Sequence, residues 1–492
     1  MALDNLRAFV GAIDAAGDLR RVAHPVSVDK EITEIADRCM KSAGGGPALL
    51  FERPTLPQGG ASRYPVAVNL FGSEKRMALA LGVPCLDEIG GRIATLLNVK
   101  VPDTLLGKLA MLPQLAEVAK FPPKAVGGRA PAQEIVVRDR DVDLSQFPIP
   151  VCWPEDGGPY ITLPGVITRD PKTGVRNVGM YRIQVIAPNE LAMHWQRHKV
   201  GAAHWREMAA RGETMPVAIA LGGDPASIYA ASAPLPPSID EFLFAGFLRK
   251  EPVRLAKAIT CDLEVPAEAE VVLEGYVDPR EELVREGPFG DHTGFYSLAD
   301  YYPKVHVTAV TMRPEPIWPH TIVGRPPMED YWLGHATERI FLPLLKLTLP
   351  EIVDLHMPAE GIFHNLVFVS IDKQYPGQAY KVMNGLWGQG LMSLAKVIVV
   401  LDKDVNVRDP KEAWWVALNH IDPERDVRFS MGPIDVLDHS SRGFTYGSKM
   451  GIDATRKWKE EGFTREWPGK IVMDEKTKLR VDAMWRELGI EL

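Results

Sequence analysis

Two carboxylates flank a turn in the segment Glu286-Gly287-Pro288-Phe289-Gly290-Asp291-His292-Thr293-Gly294, where glycine and proline prevent a helix or strand from continuing. A chain folded back there brings Glu286 and Asp291 together. Neighbouring carboxylates raise one another's proton affinity, which suits a general acid. The plainer reading makes Asp291 a turn cap and Glu286 a solvated side chain. A second group, Asn177, Tyr181, Arg182, His194, Trp195, Gln196 and His198, lies within 22 positions. Its guanidinium can grip a substrate carboxylate or hold a catalytic one through a bidentate pair. Read plainly, Arg182 decorates a strand and His198 an exposed turn. The third group is Ile239-Asp240-Glu241-Phe242-Leu243, where acids open a helix with Ser238 as expected N-cap and meet the helix dipole without any ligand. Asn, His and Glu together nevertheless make a hard oxygen and nitrogen set, better suited to manganese or magnesium than to zinc.

These groups need elements to position them. Leu6, Phe9, Val10 and Ile13 follow helical spacing with Asp4 or Asn5 as N-cap and Gly17 as terminator, and Ile32, Ile35, Ala36 and Cys39 repeat the pattern. Short apolar runs at Ala48–Phe51 and Val66–Leu70 read as buried strands, and Pro122–Pro131 as a linker. From Glu134 to Pro316 strand signals dominate, at Glu134–Arg138, Gly165–Arg169, Asn177–Ile186, Leu191–Trp195, Val217–Leu221, Val271–Val277 and Val305–Met312, as in a barrel or sandwich. Ala187-Pro188-Asn189 predicts a hairpin turn. In a regular strand Asn177 and Arg182 would point to opposite faces, so a shared cavity requires a bulge at Gly179 or an Asn177 that precedes the pairing. Beyond Pro316 helices and strands alternate, with a helix over Ala336–Leu342 ending at Pro343, strands at Leu366–Ile371 and Lys396–Leu401, and a charged tail helix over Glu475–Leu488 suited to a neighbouring subunit. The expected organisation is an α/β domain over residues 1–125, a β domain over 126–318 and a second α/β domain over 319–492.

The 492 residues are 46% hydrophobic and 24% charged, the balance of a soluble protein with several cores. The net charge of −8 comes from interspersed acids and bases, which argues against nucleic acid as a partner. The lack of a long apolar run or a signal-like N-terminus predicts a cytoplasmic protein. Cys39, Cys85, Cys152 and Cys261 lie far apart, as expected of small buried hydrophobes rather than disulfides or a zinc site. The sequence contains no dinucleotide fingerprint, P-loop, serine-hydrolase elbow or zincin motif, which sets those enzyme classes back.

In LRAFVGAIDAAGDLRRV, EITEIADR, GPALLFE, CWPEDGGP, EGPFGDHTGFY and GSKMGIDATRKW the chain resembles the UbiD family of decarboxylases along nearly its whole length. The resemblance implies an N-terminal α/β domain, a central split β-barrel that binds flavin, and a C-terminal α/β domain whose last helix reaches across a dimer. It implies a catalytic triad of Arg182, Glu286 and Asp291, and metal ligands Asn177, His198 and Glu241. Met180, Tyr181, Arg182, His194, Trp195 and Gln196 match positions lining the cofactor, with Lys199 and Lys396 as basic residues for its phosphate. The implied cofactors are prenylated FMN, Mn2+ or Mg2+, and K+. A separate flavin prenyltransferase would supply the flavin, and a homodimer or homohexamer is expected.

The substrate implied is an aromatic or conjugated carboxylic acid, such as 3-polyprenyl-4-hydroxybenzoate, whose prenyl tail would bring the protein to a membrane surface. NVGMYRIQV, MHWQRHKVGAAHW, GRPPMED and ATERIFLPLLKLTLPEIVDLHMPAEGIFHN look nearer to the dihydroxynaphthoate-type decarboxylases of the futalosine route to menaquinone. His194 stands where ubiquinone-type members tend to carry arginine. Two other classes remain to be separated by experiment: a flavin-binding module or oxidoreductase without decarboxylase activity, and a scaffold.

Overall fold

Leu6, Phe9, Val10 and Ile13 form the buried face of helix α1 (Leu6–Ala15), capped by the Asn5 side chain, which accepts from the Ala8 N–H. Burial of each such side chain gains about 1.5–3 kcal/mol over leaving it exposed. The computed structural model describes residues 2–97 and 121–490. Helix α2 (Glu31–Met40) buries Ile32, Ala36 and Met40, while Ile35 and Cys39 are half-buried. Both helices accompany a sheet of β1 (Leu19–Val22), β2 (Ala48–Phe51), β3 (Val66–Val68) and a distant fourth strand, Trp318–His320, which pairs in parallel with β3. The expected linker is not a bare connection. Its Lys124–Ala125 pairs in parallel with Arg254–Leu255, because the backbone there meets an open strand edge.

The central sheet is antiparallel and curls into a half-barrel. Its strands are β4 (Ile135–Arg138), β5 (Tyr160–Ile161), β6 (Pro164–Arg169), β7 (Arg176–Gly179), β8 (Ile183–Ala187), β9 (Glu190–Met193), β10 (Met215–Gly222), β11 (Ala269–Val277) and β12 (Lys304–Met312). The spatial order is β7-β6-β10-β11-β12-β9-β8-β5, with β4 also on β12. The β8–β9 hairpin turns where Pro188 and Asn189 predict it. Inward-facing Val166, Ile183, Leu191, Ile219, Leu273 and Val307 belong to one continuous core that reaches into the first domain through Phe51 and Val68. Helix α3 (Val200–Arg211) follows the hairpin, and α4 (Glu241–Arg249) packs its N-terminus on β7.

The irregularity expected near Gly179 is a full break. Asn177 pairs regularly with Thr168, and the ladder stops after Gly179. Met180, Tyr181 and Arg182 then carry the chain from β7, at one edge of the sheet, to β8 beside the other edge. A Cβ on Gly179 would lie 2.2 Å from the Tyr181 ring, so only glycine lets that ring fold back over the crossing.

The last domain is a five-stranded sheet, β13 (Ile352–His356), β14 (Leu366–Ile371), β15 (Val397–Asp402), β16 (Val427–Pro433) and β17 (Tyr446–Asp453), in the order β13-β14-β15-β17-β16. Helix α5 (Glu329–Thr348) starts before the expected Ala336 and continues through Pro343. Leu333, Ala336 and Ile340 pack with Ile89 and Ile93, and Arg339 pairs with Asp354 at 2.6 Å, so tertiary contacts hold the helix where local propensity would end it. The tail helix α6 (Glu475–Met484) has no buried residue, and Ile471, Val472, Leu479 and Leu488 are exposed. Cys152 is buried, but Cys39 and Cys261 are half-buried and Cys85 is exposed, contrary to the uniform burial expected.

Candidate active site

Arg182, at the end of the crossing, gathers both carboxylates of the glycine-proline turn. Its Nε and Nη2 donate to Glu286 Oε1 and Oε2 at 2.9 and 3.1 Å. Its Nη1 pairs with Asp291 Oδ2. Nη2 also donates to Ser297 Oγ at 2.9 Å, and the guanidinium lies 4.9 Å from the centre of the Phe289 ring. On the far side of Glu286, His194 Nδ1 is 3.0 Å from Oε2. On the far side of Asp291, Oδ1 accepts from the His292 backbone N–H at 2.8 Å and lies 2.9 Å from its Nδ1.

The turn is fastened by groups that the motif alone does not reveal. Gly287 N–H donates to Gln184 Oε1 at 2.9 Å, Gly290 N–H to Asp156 Oδ1 at 2.7 Å, and Tyr160 Oη to the Pro288 carbonyl at 3.1 Å. Short strands Val284–Glu286 with Asp300–Tyr302, and Phe289–Gly290 with Tyr296–Ser297, close its base. Gln184 follows Arg182 by two positions, so strand alternation could have placed it on the same face. Ser297 and Asp156 had no comparable signal.

The electrostatics differ from the mutual rise expected of two adjacent carboxylates. Burial favours the neutral acid, but the His194 hydrogen bond and the Arg182 charge outweigh it and hold Glu286 down to about 2. Asp291 is buried too, yet Arg182 and then His292 keep it well below the ordinary carboxylate range. A guanidinium between the two acids screens each from the other, so both rest ionised. Burial tends to deprotonate Arg182, and the two carboxylates more than reverse this. Burial, followed by the Arg182 charge, lowers His194 and leaves a neutral imidazole.

The candidate metal ligands are partly assembled. Arg176 joins Asp240 at 2.7 Å and Glu264 at 2.8 Å, anchoring the start of α4. The N-cap there is Asp240, which accepts from Phe242 N–H, rather than the expected Ser238. Glu241 thereby reaches β7, and its Oε2 accepts from Val178 N–H at 2.8 Å, beside buried Asn177. Burial raises Glu241 to about 7, a penalty that an adjacent cation would relieve. His198 lies exposed on the turn before α3, and among the described residues no hydrogen bond ties it to Asn177 or Glu241.

Around the crossing, Tyr181 is buried with its hydroxyl 3.4 Å from Asn177 Nδ2 and 3.3 Å from Gly201 N. Met180 and Gln196 are half-buried nearby in the chain. His194 Nε2 and Trp195 Nε1 are buried without a hydrogen-bond partner, which suits a polar cofactor that supplies the missing groups. Lys199 is half-buried, and burial lowers its proton affinity. Lys396 sits immediately before β15 with its ammonium on Asp438 Oδ2 at 2.7 Å and Ser440 Oγ at 2.8 Å.

Three family models, described as the N-terminal domain, the Rift-related domain and the C-terminal domain of 3-octaprenyl-4-hydroxybenzoate carboxy-lyase, match residues 10–93, 124–326 and 331–454. The chain belongs to the UbiD family. It is therefore a carboxy-lyase with the three-domain α/β and half-barrel architecture of that family. An uncharacterised protein of Aquifex aeolicus is 53% identical over 487 residues, covering 99% of both chains. The structure resembles that of the UbiD-class enzyme HmfF from Pelotomaculum thermopropionicum in complex with FMN, with a TM-score of 0.79, 30% identity and coverage of 97% and 99%. It also resembles the vanillic acid decarboxylase of Sedimentibacter hydroxybenzoicus in closed form, with a TM-score of 0.84, 27% identity and full coverage of both chains. Among the described residues no UbiD-family helix here is long and apolar enough to cross a membrane.

Proposed function

We propose that this chain decarboxylates an aromatic, phenolic quinone-precursor acid with the aid of prenylated FMN and Mn2+ or Mg2+, with K+ as a further cation. The observation that carries the reading is the single guanidinium shared by Glu286 and Asp291 where the half-barrel fails to close. Bound beside Arg182, the flavin would supply an electron sink for the carbon that loses carbon dioxide. Tyr181, Met180, His194, Trp195 and Gln196 would hold it, Lys199 or Lys396 would face its phosphate, and Asn177, His198 and Glu241 would hold the divalent cation. Vanillic acid decarboxylase and HmfF, solved with FMN and in an evolved dimeric form with prFMN, support this reading.

Arg182 orients the substrate carboxylate. An incoming carboxylate competes with Asp291 for the guanidinium and adds negative charge, so the proton affinity of Asp291 rises on binding. Asp291 then takes up a proton and delivers it to the carbon after carbon dioxide has left. Glu286, held by both Arg182 and His194, keeps the fork in place. A flavin prenyltransferase would supply the cofactor, and a homodimer or homohexamer would cover the exposed tail helix.

The 3-polyprenyl-4-hydroxybenzoate and dihydroxynaphthoate readings separate in one assay of reconstituted enzyme against hydroxybenzoate, dihydroxynaphthoate and cinnamate-type acids. Release of carbon dioxide from one phenolic acid is expected. Oxidation of NAD(P)H with ordinary FMN, and no carbon dioxide from any acid, would replace this proposal with an oxidoreductase. Glu241→Gln removes an anionic ligand, so metal content should fall; full manganese retention would dismiss the ligand assignment.

A further inference from the structure

We propose a second metal site, for a borderline divalent ion of the zinc class, formed by His335, Glu338 and His356 away from the flavin machinery. His335 and Glu338 are one turn apart on α5 and share a face. His356 closes the group from the end of β13. One ligand atom from each lies within 4.8 Å of the others, the only such convergence of three or more His, Cys, Asp or Glu side chains among the described residues. Glu338 Oε1 is 2.5 Å from His335 Nδ1 and 3.0 Å from His356 Nδ1. Its other oxygen accepts from Met357 N–H at 2.7 Å. That backbone bond fixes the carboxylate with one oxygen facing both imidazoles, as a second-sphere bond orients a metal ligand.

The chemistry suits such an ion. Two imidazoles and one carboxylate are the donor set of zinc sites that keep a further position open, with metal-ligand distances of about 2.0–2.2 Å. Donors around a common ion stand slightly farther apart than these hydrogen-bonded ones, so the cluster opens a little as the ion replaces the bridging protons. An ion bound at the two Nδ1 atoms requires each ring to carry its proton on Nε2, and the Glu338 carboxylate supplies one compensating charge. Arg339 Nε lies 3.5 Å from Glu338 Oε1, a cation in an unfavourable place. Its charge is balanced by Asp354 at 2.6 Å and by Asp87 at 3.8 Å. Glu338 and His356 are buried and His335 is half-buried, which leaves one side for entry of the ion. Tyr331, Trp332 and His356 wall the His335 ring, with centroids 6.2, 6.4 and 5.9 Å away. A bound ion would staple α5 to β13.

The test uses the full-length protein, stripped with a chelator and titrated with Co2+ as a spectroscopic stand-in for Zn2+. One equivalent should give the visible absorption of low-coordinate cobalt, be displaced by Zn2+, and raise the melting temperature by several degrees. His335→Asn and His356→Asn should each remove that equivalent while leaving carbon dioxide release within about twofold. Glu241→Gln should retain it, which separates this site from the flavin-linked cation. His335→Asn lies at the half-exposed position, so it keeps the test valid if the His356 variant does not fold. Cobalt absorption that is absent, or present unchanged in His335→Asn, or lost in Glu241→Gln alone, would overturn the proposal and leave the trio a hydrogen-bonded latch.

Discussion

Glu286 and Glu329 are both 0% exposed, yet they sit at opposite ends of the carboxylate range. Glu286, at the mouth of the half-barrel, meets a guanidinium and an imidazole and is held down to about 2. Glu329, at the start of α5 where the domains meet, accepts, among the described residues, from Phe71 N–H and Thr321 Oγ1, each at 2.7 Å, and burial lifts it to about 7. The comparison shows that solvent exclusion alone does not set the charge of a buried acid; the charge of its partners does. The first region holds fixed charge around one guanidinium. The second uses an acid of raised proton affinity to fasten backbone and hydroxyl groups.

The largest effect should come from removing the fork that makes Glu286 different. Arg182→Lys keeps the positive charge but cannot reach both oxygens of Glu286 together with Asp291. Turnover should fall at least about a hundredfold while flavin and metal content stay near wild type. Absorbance, melting and carbon dioxide release on one preparation decide this, and a loaded variant with near-normal turnover would leave Arg182 a structural ion-pair partner. Asp291→Asn should lose a comparable factor of at least about a hundred, and normal turnover with solvent deuterium still entering at the former carboxyl carbon would remove Asp291 from proton delivery.

Next in size is the pH dependence of stability, where the two glutamates should have opposite slopes. The folded-state affinity of Glu329 is raised, so its contribution is full below about 4.5 and is lost as pH rises towards about 7. That loss is at most about 3 kcal/mol. Glu286 is depressed, so its contribution is present above about 4.5 and lost as pH falls towards about 2. Glu329→Gln should flatten the loss of melting temperature between pH 5 and 7 by an amount set by that same linkage. Parallel wild-type and variant curves would show that Glu329 does not titrate there. The smallest effect is expected of Ser297→Ala, which leaves Arg182 with both carboxylates but without one neutral acceptor. A loss of about 1 kcal/mol in transition-state stabilisation, roughly fivefold in kcat/KM, is expected, and a hundredfold loss would mean that Ser297 does more than steady the fork.

Local periodicity explains what the sequence made legible. The α1 stripe, the Leu366–Ile371 strand and the β8–β9 hairpin follow from spacing and turn residues. The approach of Glu286 to Asp291 was legible through the glycine-proline turn, and the meeting of both with Arg182 through the resemblance to the UbiD family. Their charge state was not, because it depends on which partner occupies the space between two acids. The continuation of α5 past Pro343 and the pairing of Lys124–Ala125 were hidden for a similar reason. Each is decided by a distant element that neither helical spacing nor turn chemistry encodes. Ser297 and Asp156 have common residue types, and only the closed turn gives them partners.

The break at Met180–Arg182 also dictates an order of assembly. Gly179 and Ile183 are near neighbours in the chain, but Gly179 ends one edge strand and Ile183 opens the strand next to the opposite edge of the curled sheet. Between those two strands lie β6, β10, β11, β12 and β9, and β9 joins β12 by pairing Glu190, Leu191 and Ala192 with His306, Val305 and Lys304. A nascent chain that has emerged as far as Asp291 carries the whole Arg182, Glu286 and Asp291 set and still has no β12 to bridge β9 and β11. Such long-range pairing closes slowly, since loop entropy must be lost before the contacts form. The geometry of these three side chains thus depends on the pairing of a strand that contributes none of them.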